Sequence, residues 1–266
     1  MRTALTYLAI IACGIFLVSG YLYWKEQTNN AVGTNEKAGP VVSNKESDEK
    51  KTTKTSADPN LLLMTGNWPE KAQETFEEAI DVGRTYKVAI VGSAALGKDN
   101  NGWSDMLKEE LVAIYGKNNL EISIFEYPVR SDQFIAEGYD EEVAAYKPDL
   151  ILFEPFNLND NGNLGTSENH ENIMSVIKTL EKANEKAVVI LQPPHPVVST
   201  IYPSQVDELK DFAEEQELVY LDHWPNWPDT DDETLNDYLM DPASAPNEKG
   251  HELWFKFLKE YFISDK

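Results

Sequence analysis

Residues 241–251 read Asp-Pro-Ala-Ser-Ala-Pro-Asn-Glu-Lys-Gly-His, and they lead directly into an amphipathic stretch, residues 250–262, that predicts a terminal helix. The stretch brings an acid, an asparagine and a histidine together in one short loop. Loops that follow the regular elements of a domain often carry its ligand-binding and catalytic residues. The significance of this loop therefore depends on the elements that precede it.

Short apolar runs alternate with helical patterns along the preceding 180 or so residues, roughly one domain of chain. Strands are predicted at residues 87–91, 121–125, 149–153, 187–191 and 218–222. Helices are predicted at residues 69–82, 103–115, 172–183 and 202–216. This alternation predicts a parallel sheet with helices on both faces, in which a ligand binds beyond the carboxyl ends of the strands.

Three of the loops at that edge carry recognisable polar motifs. The first reads Gly92-Ser93-Ala94, the loop after the third strand contains Asn157-Leu158-Asn159-Asp160, and the last contains Pro246-Asn247-Glu248-Lys249-Gly250-His251. In this order they resemble the Gly-Asp-Ser, Gly-x-Asn-Asp and Asp-x-x-His-Pro-Asn motifs of the SGNH/GDSL hydrolases. The resemblance covers residues 86–262 and implies a three-layer, flavodoxin-like α/β fold with a central parallel sheet of about five strands.

The resemblance also implies roles for individual positions. In the family a serine attacks an ester, a histidine takes its proton and an aspartate orients the histidine. Here Ala94 occupies the nucleophile position and Ala245 the position of the general base. Asp241 corresponds to the acid, although it precedes Ala245 by four residues where the motif has three. Asn159 corresponds to the asparagine that donates a hydrogen bond to the oxyanion.

Two alternatives concern the catalytic groups. Ser93 either caps the turn after the first strand or acts as a displaced nucleophile, with His195 or His223 as its base. The family's second motif supplies a glycine N–H to the oxyanion, whereas the corresponding loop here contains Pro128, which has no N–H, and Val129. A complete oxyanion hole is therefore not expected.

Substrate contacts are expected at the same edge of the sheet, from Gly92, Asp160 and His195 and from the tryptophans Trp224 and Trp227. Exposed tryptophans suit the apolar faces of sugar rings. The alternative for both tryptophans is core packing beneath a long loop.

The amino-terminal residues predict a membrane attachment. Residues 4–24 contain no charge and end in Tyr-Leu-Tyr-Trp, a run long enough to span a bilayer, so we expect a retained anchor rather than a cleaved signal peptide. Residues 25–60 have the polar composition of a disordered tether. The domain at residues 61–266 would then lie outside the cytoplasm, at the cell membrane.

Charge restricts the partners further. The 266-residue chain carries a net charge of −23, which disfavours nucleic acid. The sequence contains no metal-ligand spacing and its one cysteine, Cys13, cannot form an intrachain disulfide. The resemblance implies an ester hydrolase that acts on an acylated polysaccharide or lipid, with impaired catalysis because alanine occupies both positions. The predicted anchor places it outside the cytoplasm, and no cofactor is expected. The alternative is a native pseudoenzyme that serves as a carbohydrate-binding module.

Overall fold

The structure is a computed structural model that describes residues 59–240 and 245–264. The predicted anchor, most of the predicted tether and Asp241 lie outside these residues. Within the described ranges, no helix combines the length and the apolar character that a membrane crossing requires.

Five parallel strands form the central sheet, in the order β2-β1-β3-β4-β5. They comprise β1 (Tyr86–Gly92), β2 (Leu120–Glu126), β3 (Leu150–Phe153), β4 (Val188–Leu191) and β5 (Val219–Tyr220). The predicted α/β fold class is confirmed. The fifth strand is shorter than predicted because β5 pairs only with Ile190 and Leu191, where β4 ends.

Helices connect the strands, and most of their predicted bounds are correct to within a few residues. They are α1 (Pro59–Met64), α2 (Glu70–Asp81), α3 (Trp103–Tyr115), α4 (Ser131–Ala136), α5 (Tyr139–Tyr146), α6 (Asn157–Asp160), α7 (Thr166–Ala183), α8 (Tyr202–Glu215) and α9 (Glu248–Phe262). The largest difference is α7, which begins six residues before the predicted start at residue 172.

Alternating strand residues divide the core into two layers, as successive side chains of a strand point to opposite faces. In β1, Val88 and Ile90 pack with helices α2, α3 and α9. Ala89 and Val91 of the same strand pack with α4, α5, α7 and α8. The sheet is therefore covered on both faces. A ligand can approach it at the ends of the strands.

The strand order locates the ligand crevice more closely. In an open sheet of order 2-1-3-4-5, the chain turns in opposite directions after β1 and β3, which opens a crevice at their carboxyl ends. The loops that flank it begin at Ser93 and at Glu154. These are the loops that carry the first and third motifs.

Candidate active site

The loop after β1 exposes Ala94 and buries Ser93. Ser93 caps the short 3₁₀ turn Ala94–Leu96, and its Oγ accepts a hydrogen bond of 3.3 Å from the N–H of Ala95. The residue is only 5% exposed, so little of it is accessible at the surface. The cap interpretation of Ser93 is correct, and its use as a nucleophile conflicts with this burial.

A buried carboxylate joins the two loops of the crevice. Glu154 is fully buried, and its Oε2 accepts a 2.7 Å hydrogen bond from the N–H of Ser93, while Oε1 accepts one of 3.2 Å from Phe156. Burial raises the pKa of the Glu154 carboxyl. A Cβ at Gly92 would lie 2.8 Å from Oε2. Gly92 is itself buried, so it leaves room for Glu154 rather than contacting substrate as predicted.

The loop after β3 is strained next to this carboxylate. Phe156 adopts a φ of 62°, in the left-handed region that bulky residues rarely occupy. Its ring is buried, and its N–H is held by Glu154. Backbone strain of this kind concentrates at functional sites, where the surrounding structure holds it in place.

Asn159 reaches the loop after β2. Its Nδ2 donates a 2.7 Å hydrogen bond to the carbonyl oxygen of Val129. An amide nitrogen carries two hydrogens, so one can still be donated to a ligand oxygen. The residue predicted to serve the oxyanion therefore connects its own loop, after β3, to the loop after β2, where it holds Val129 in place.

Asp160 has a structural role instead of the predicted contact with substrate. It is 3% exposed, and its carboxylate accepts hydrogen bonds from the N–H of Ser131 at 2.9 Å, the hydroxyl of Ser131 at 2.6 Å and Nδ2 of Asn169 at 2.7 Å. These bonds satisfy a buried charge and fix α4 against α7.

The last motif begins beside a short antiparallel pairing. Leu239 pairs with Pro246 in an antiparallel bridge, and the carbonyl of Ala245 accepts a 3.0 Å hydrogen bond from the N–H of Met240. Ala245 is partly exposed. Asp241, the predicted acid, lies outside the described residues, so its orientation toward position 245 stays a prediction.

The histidine of that motif packs against the loop after β1, whereas the asparagine has a capping role. Asn247 caps α9, with Oδ1 accepting from Lys249 at 2.9 Å and from Gly250 at 3.3 Å. Nδ1 of His251 accepts a 3.2 Å hydrogen bond from the N–H of Trp103. The same imidazole lies against Gly97, where an added Cβ would meet its Cε1 at 2.7 Å. The first and last motif loops are therefore in direct contact.

Two predicted substrate residues and one alternative base are in the interior. His195, His223 and Trp227 are 0%, 0% and 5% exposed. His223 Nδ1 accepts a 2.9 Å hydrogen bond from the indole of Trp227, so Nε2 carries the proton and donates to the carbonyl of Pro193 at 2.9 Å. Neither histidine is accessible as a base at the surface, and Trp227 packs in the core as the alternative interpretation predicted.

Trp224 differs from Trp227 in its exposure. It is partly exposed, and its indole N–H donates a 2.7 Å hydrogen bond to the carbonyl of Pro194. The ring lines a cavity beyond the end of β5. Of the two tryptophans predicted to face a sugar, only this one meets a solvent-accessible space.

Sequence analysis assigned no role to Glu154. The position of Glu154, directly after β3 and beside the motif asparagine, was visible in the sequence. Its partner Ser93 lies 61 residues away, so nothing in the local sequence indicated the bond. Burial also lowers the pKa of the His251 imidazole, to about 4.

Comparison with known proteins gives a structural likeness without a close sequence relative. No protein-family model and no curated protein matches the chain. A carbohydrate esterase of family 3 from Talaromyces cellulolyticus is similar, with a TM-score of 0.56 and 14% identity over 66% of this chain and 95% of that one. A protein described as a GDSL-like lipase from Parabacteroides merdae gives 0.55, with 11% identity over the same shares.

A third similar structure is a catalytic mutant of an acetylxylan esterase from Geobacillus stearothermophilus. Its TM-score is 0.52, with 15% identity over 66% of this chain and 94% of that chain. The chain thus has the three-layer α/β fold of GDSL-like lipases and esterases. At these identities the likeness establishes the fold alone, and activity has to be argued from the site.

Proposed function

We propose that this protein is an extracytoplasmic ester hydrolase of SGNH type with strongly reduced catalytic activity. Its ligand is an acylated glycan of the cell envelope. The observation that carries the proposal is the exposed Ala94 at the β1–β3 crevice. It occupies the position from which a nucleophile would reach a ligand, and its side chain is a methyl group. The crevice around it keeps the motif asparagine, Asn159, at the surface.

Burial of the remaining candidates supports the loss of catalytic power. Ser93 is buried and caps a turn, and His195 and His223 are fully buried. A nucleophile and a general base must lie within hydrogen-bond reach of each other and of the substrate. Loss of a serine or a histidine from a triad lowers kcat by on the order of 10⁶-fold, because the members act as a unit.

The glycan part of the proposal is supported by the names of two similar structures, a carbohydrate esterase and an acetylxylan esterase. The partly exposed Trp224 adds an aromatic surface of the type that stacks on sugar rings. A lipid ester would be the other ester substrate, and it would need an acyl channel. The cavity lined by Trp224 also carries aspartates, which suit hydroxyl groups better than an acyl chain.

The second candidate is a native carbohydrate-binding module with no turnover. The structural role of Ser93 favours it, since the hydroxyl nearest the nucleophile position is engaged as a cap. The two candidates share a ligand and differ in residual hydrolysis. Acetate release therefore separates them, and binding tests both.

The experiment uses the purified full-length chain with an acetylated xylo-oligosaccharide and its chemically deacetylated counterpart. We expect calorimetric binding of the acetylated form in the micromolar to millimolar range, roughly −8 to −4 kcal/mol, with little or no acetate released. Ser93→Ala should leave any acetate release unchanged. Loss of release in Ser93→Ala would contradict the assignment of position 94, and absence of binding at millimolar ligand would contradict the glycan proposal.

The proposed location rests on the uncharged residues 4–24 and the polar residues 25–60. Protease added to intact cells should cut within residues 25–60 and release the folded domain. The control is the same treatment after the membrane is broken. A domain that is cleaved only after breakage would contradict an extracytoplasmic location.

A further inference from the structure

A cavity of about 250 Å³ lies beyond the carboxyl end of β5, away from the crevice between β1 and β3. The volume suits a single small ring, since sites for drug-sized ligands occupy about 300–1,000 Å³. Its wall contains Trp224, Tyr220 and four prolines, which are Pro196, Pro203, Pro225 and Pro228. Prolines donate no backbone hydrogen bond, so this part of the wall is apolar.

The aromatic side chains of the cavity suit a ligand that has one apolar face and several hydroxyls. The indole N–H of Trp224 is already used by Pro194, so the ring is fixed and offers its face. The hydroxyl of Tyr220 is buried and has no hydrogen-bond partner within the described ranges. That oxygen is enclosed by the protein, so we expect the hydroxyls of a ligand to bond to the aspartates of the wall instead.

Charge narrows the ligand class. Three carboxylates line the cavity, those of Asp207, Asp222 and Asp229, against the single ammonium of Lys210. Lys210 pairs with Asp222 at 3.2 Å, which leaves Asp207 and Asp229 as exposed anions. A net charge of −2 from these four groups attracts cationic groups, repels carboxylates and phosphates, and imposes no such penalty on neutral groups.

We propose that this cavity is a sugar subsite that takes a neutral or amino pyranose of the acylated glycan and excludes uronic acids and phosphorylated sugars. The proposal rests on the proposed glycan function. β1 and β5 are three strand spacings apart in the sheet, which separates Ala94 from the cavity by roughly 14 Å at about 4.8 Å per spacing. The ligand must therefore be an oligosaccharide, with its acyl group near Ala94 and another ring in the cavity.

The test measures binding of the full-length chain to acetylated xylotetraose, acetylated xylobiose and acetylated oligogalacturonate. We expect xylotetraose to bind more tightly than xylobiose, and oligogalacturonate to bind about tenfold or more weakly than xylotetraose. Trp224→Ala should weaken xylotetraose binding about tenfold, whereas Trp224→Phe keeps most of it. Tyr261→Ala, a partly exposed aromatic on α9 outside the cavity, is the matched control.

A charge variant tests the selectivity separately. Asp207→Asn with Asp229→Asn removes both exposed anions and should bring oligogalacturonate binding toward that of xylotetraose. Unchanged binding in Trp224→Ala and in the charge variant, with xylotetraose still bound, would overturn the subsite and leave the proposed function standing. Absence of any acetylated-glycan binding would overturn both.

Discussion

The buried carboxylate of Glu154 accepts a 2.7 Å hydrogen bond from the backbone N–H of Ser93, which ties the loop after β1 to the loop after β3. These loops form the two sides of the crevice at the carboxyl ends of β1 and β3, where the strand order reverses. The carboxylate thereby links the loop that carries Ala94 to the loop that carries Asn159. The bond therefore sets the geometry of the candidate site, although neither of its partners faces a ligand.

Glu154→Gln should destabilise the protein by about 1–3 kcal/mol, the cost of leaving a buried donor unsatisfied. The amide of glutamine offers one oxygen, so its NH₂ group faces the N–H of either Ser93 or Phe156. Urea unfolding followed by circular dichroism measures the change. The matched control is Glu126→Gln, because Oε2 of Glu126 also accepts a loop N–H, that of Lys98 at 2.7 Å, at a half-buried position. Equal losses in the two variants would contradict a special role for Glu154.

His223 should make the protein less stable in acid. Burial lowers the pKa of its imidazole to about 3. Between pH 6.5 and pH 3 the unfolded chain binds a proton that the folded chain does not, so the free energy of unfolding falls as the pH falls, by about 1.4 kcal/mol per pH unit. The raised pKa of Glu154 acts in the opposite direction, because its folded form holds a proton that the unfolded chain loses as the pH rises.

His223→Gln tests this contribution. Glutamine keeps a donor toward Pro193 and does not titrate. The variant should be less stable than the wild type at pH 7, and its stability should fall less steeply between pH 6.5 and pH 4. Urea unfolding at several pH values measures both slopes. Identical slopes in the two proteins would show that His223 takes up its proton in the folded state.

Restoring the missing serine and histidine should restore some esterase activity. Ala94→Ser with Ala245→His should give weak hydrolysis of p-nitrophenyl acetate, and each single change almost none, because nucleophile and base act together. The rate should stay low, since Pro128 offers no N–H to the oxyanion and a missing donor costs about 10²–10³ in kcat. Equal activity of Ala94→Ser alone and the double variant would contradict the alignment of position 245.

Gly250→Ala should disrupt the last motif. An added Cβ would collide with the carbonyl oxygen of Tyr238 and would lie 2.9 Å from Cβ of Pro246 and 3.0 Å from Cη2 of Trp227. Overpacking of this kind costs about 1–3 kcal/mol. Gly165→Ala is the control, since nothing lies within 4 Å of its added Cβ, and thermal unfolding compares the two. A loss at Gly165 as large as that at Gly250 would contradict the steric explanation.

The sequence alone determined the architecture. Short β-branched runs separated by amphipathic helices are local patterns, and they predicted all five strands and a sheet covered on both faces. The order of the motif loops predicted the SGNH-type fold, and the same loops lie at the carboxyl edge of the sheet. Local pattern was sufficient here because the period of the apolar residues fixes both the element and the face that it buries.

Only the tertiary structure decided which loop residues face a ligand. Ser93, Asp160, His195 and Trp227 are polar or amphipathic residues in edge loops, and the sequence gives no sign that partners remote in the chain enclose them. Trp224 and Trp227 stand three residues apart, yet the cavity reaches one and the core encloses the other. Burial in a loop depends on long-range packing and hydrogen bonds, such as the bond from Ser93 to Glu154, and no local periodicity encodes these contacts.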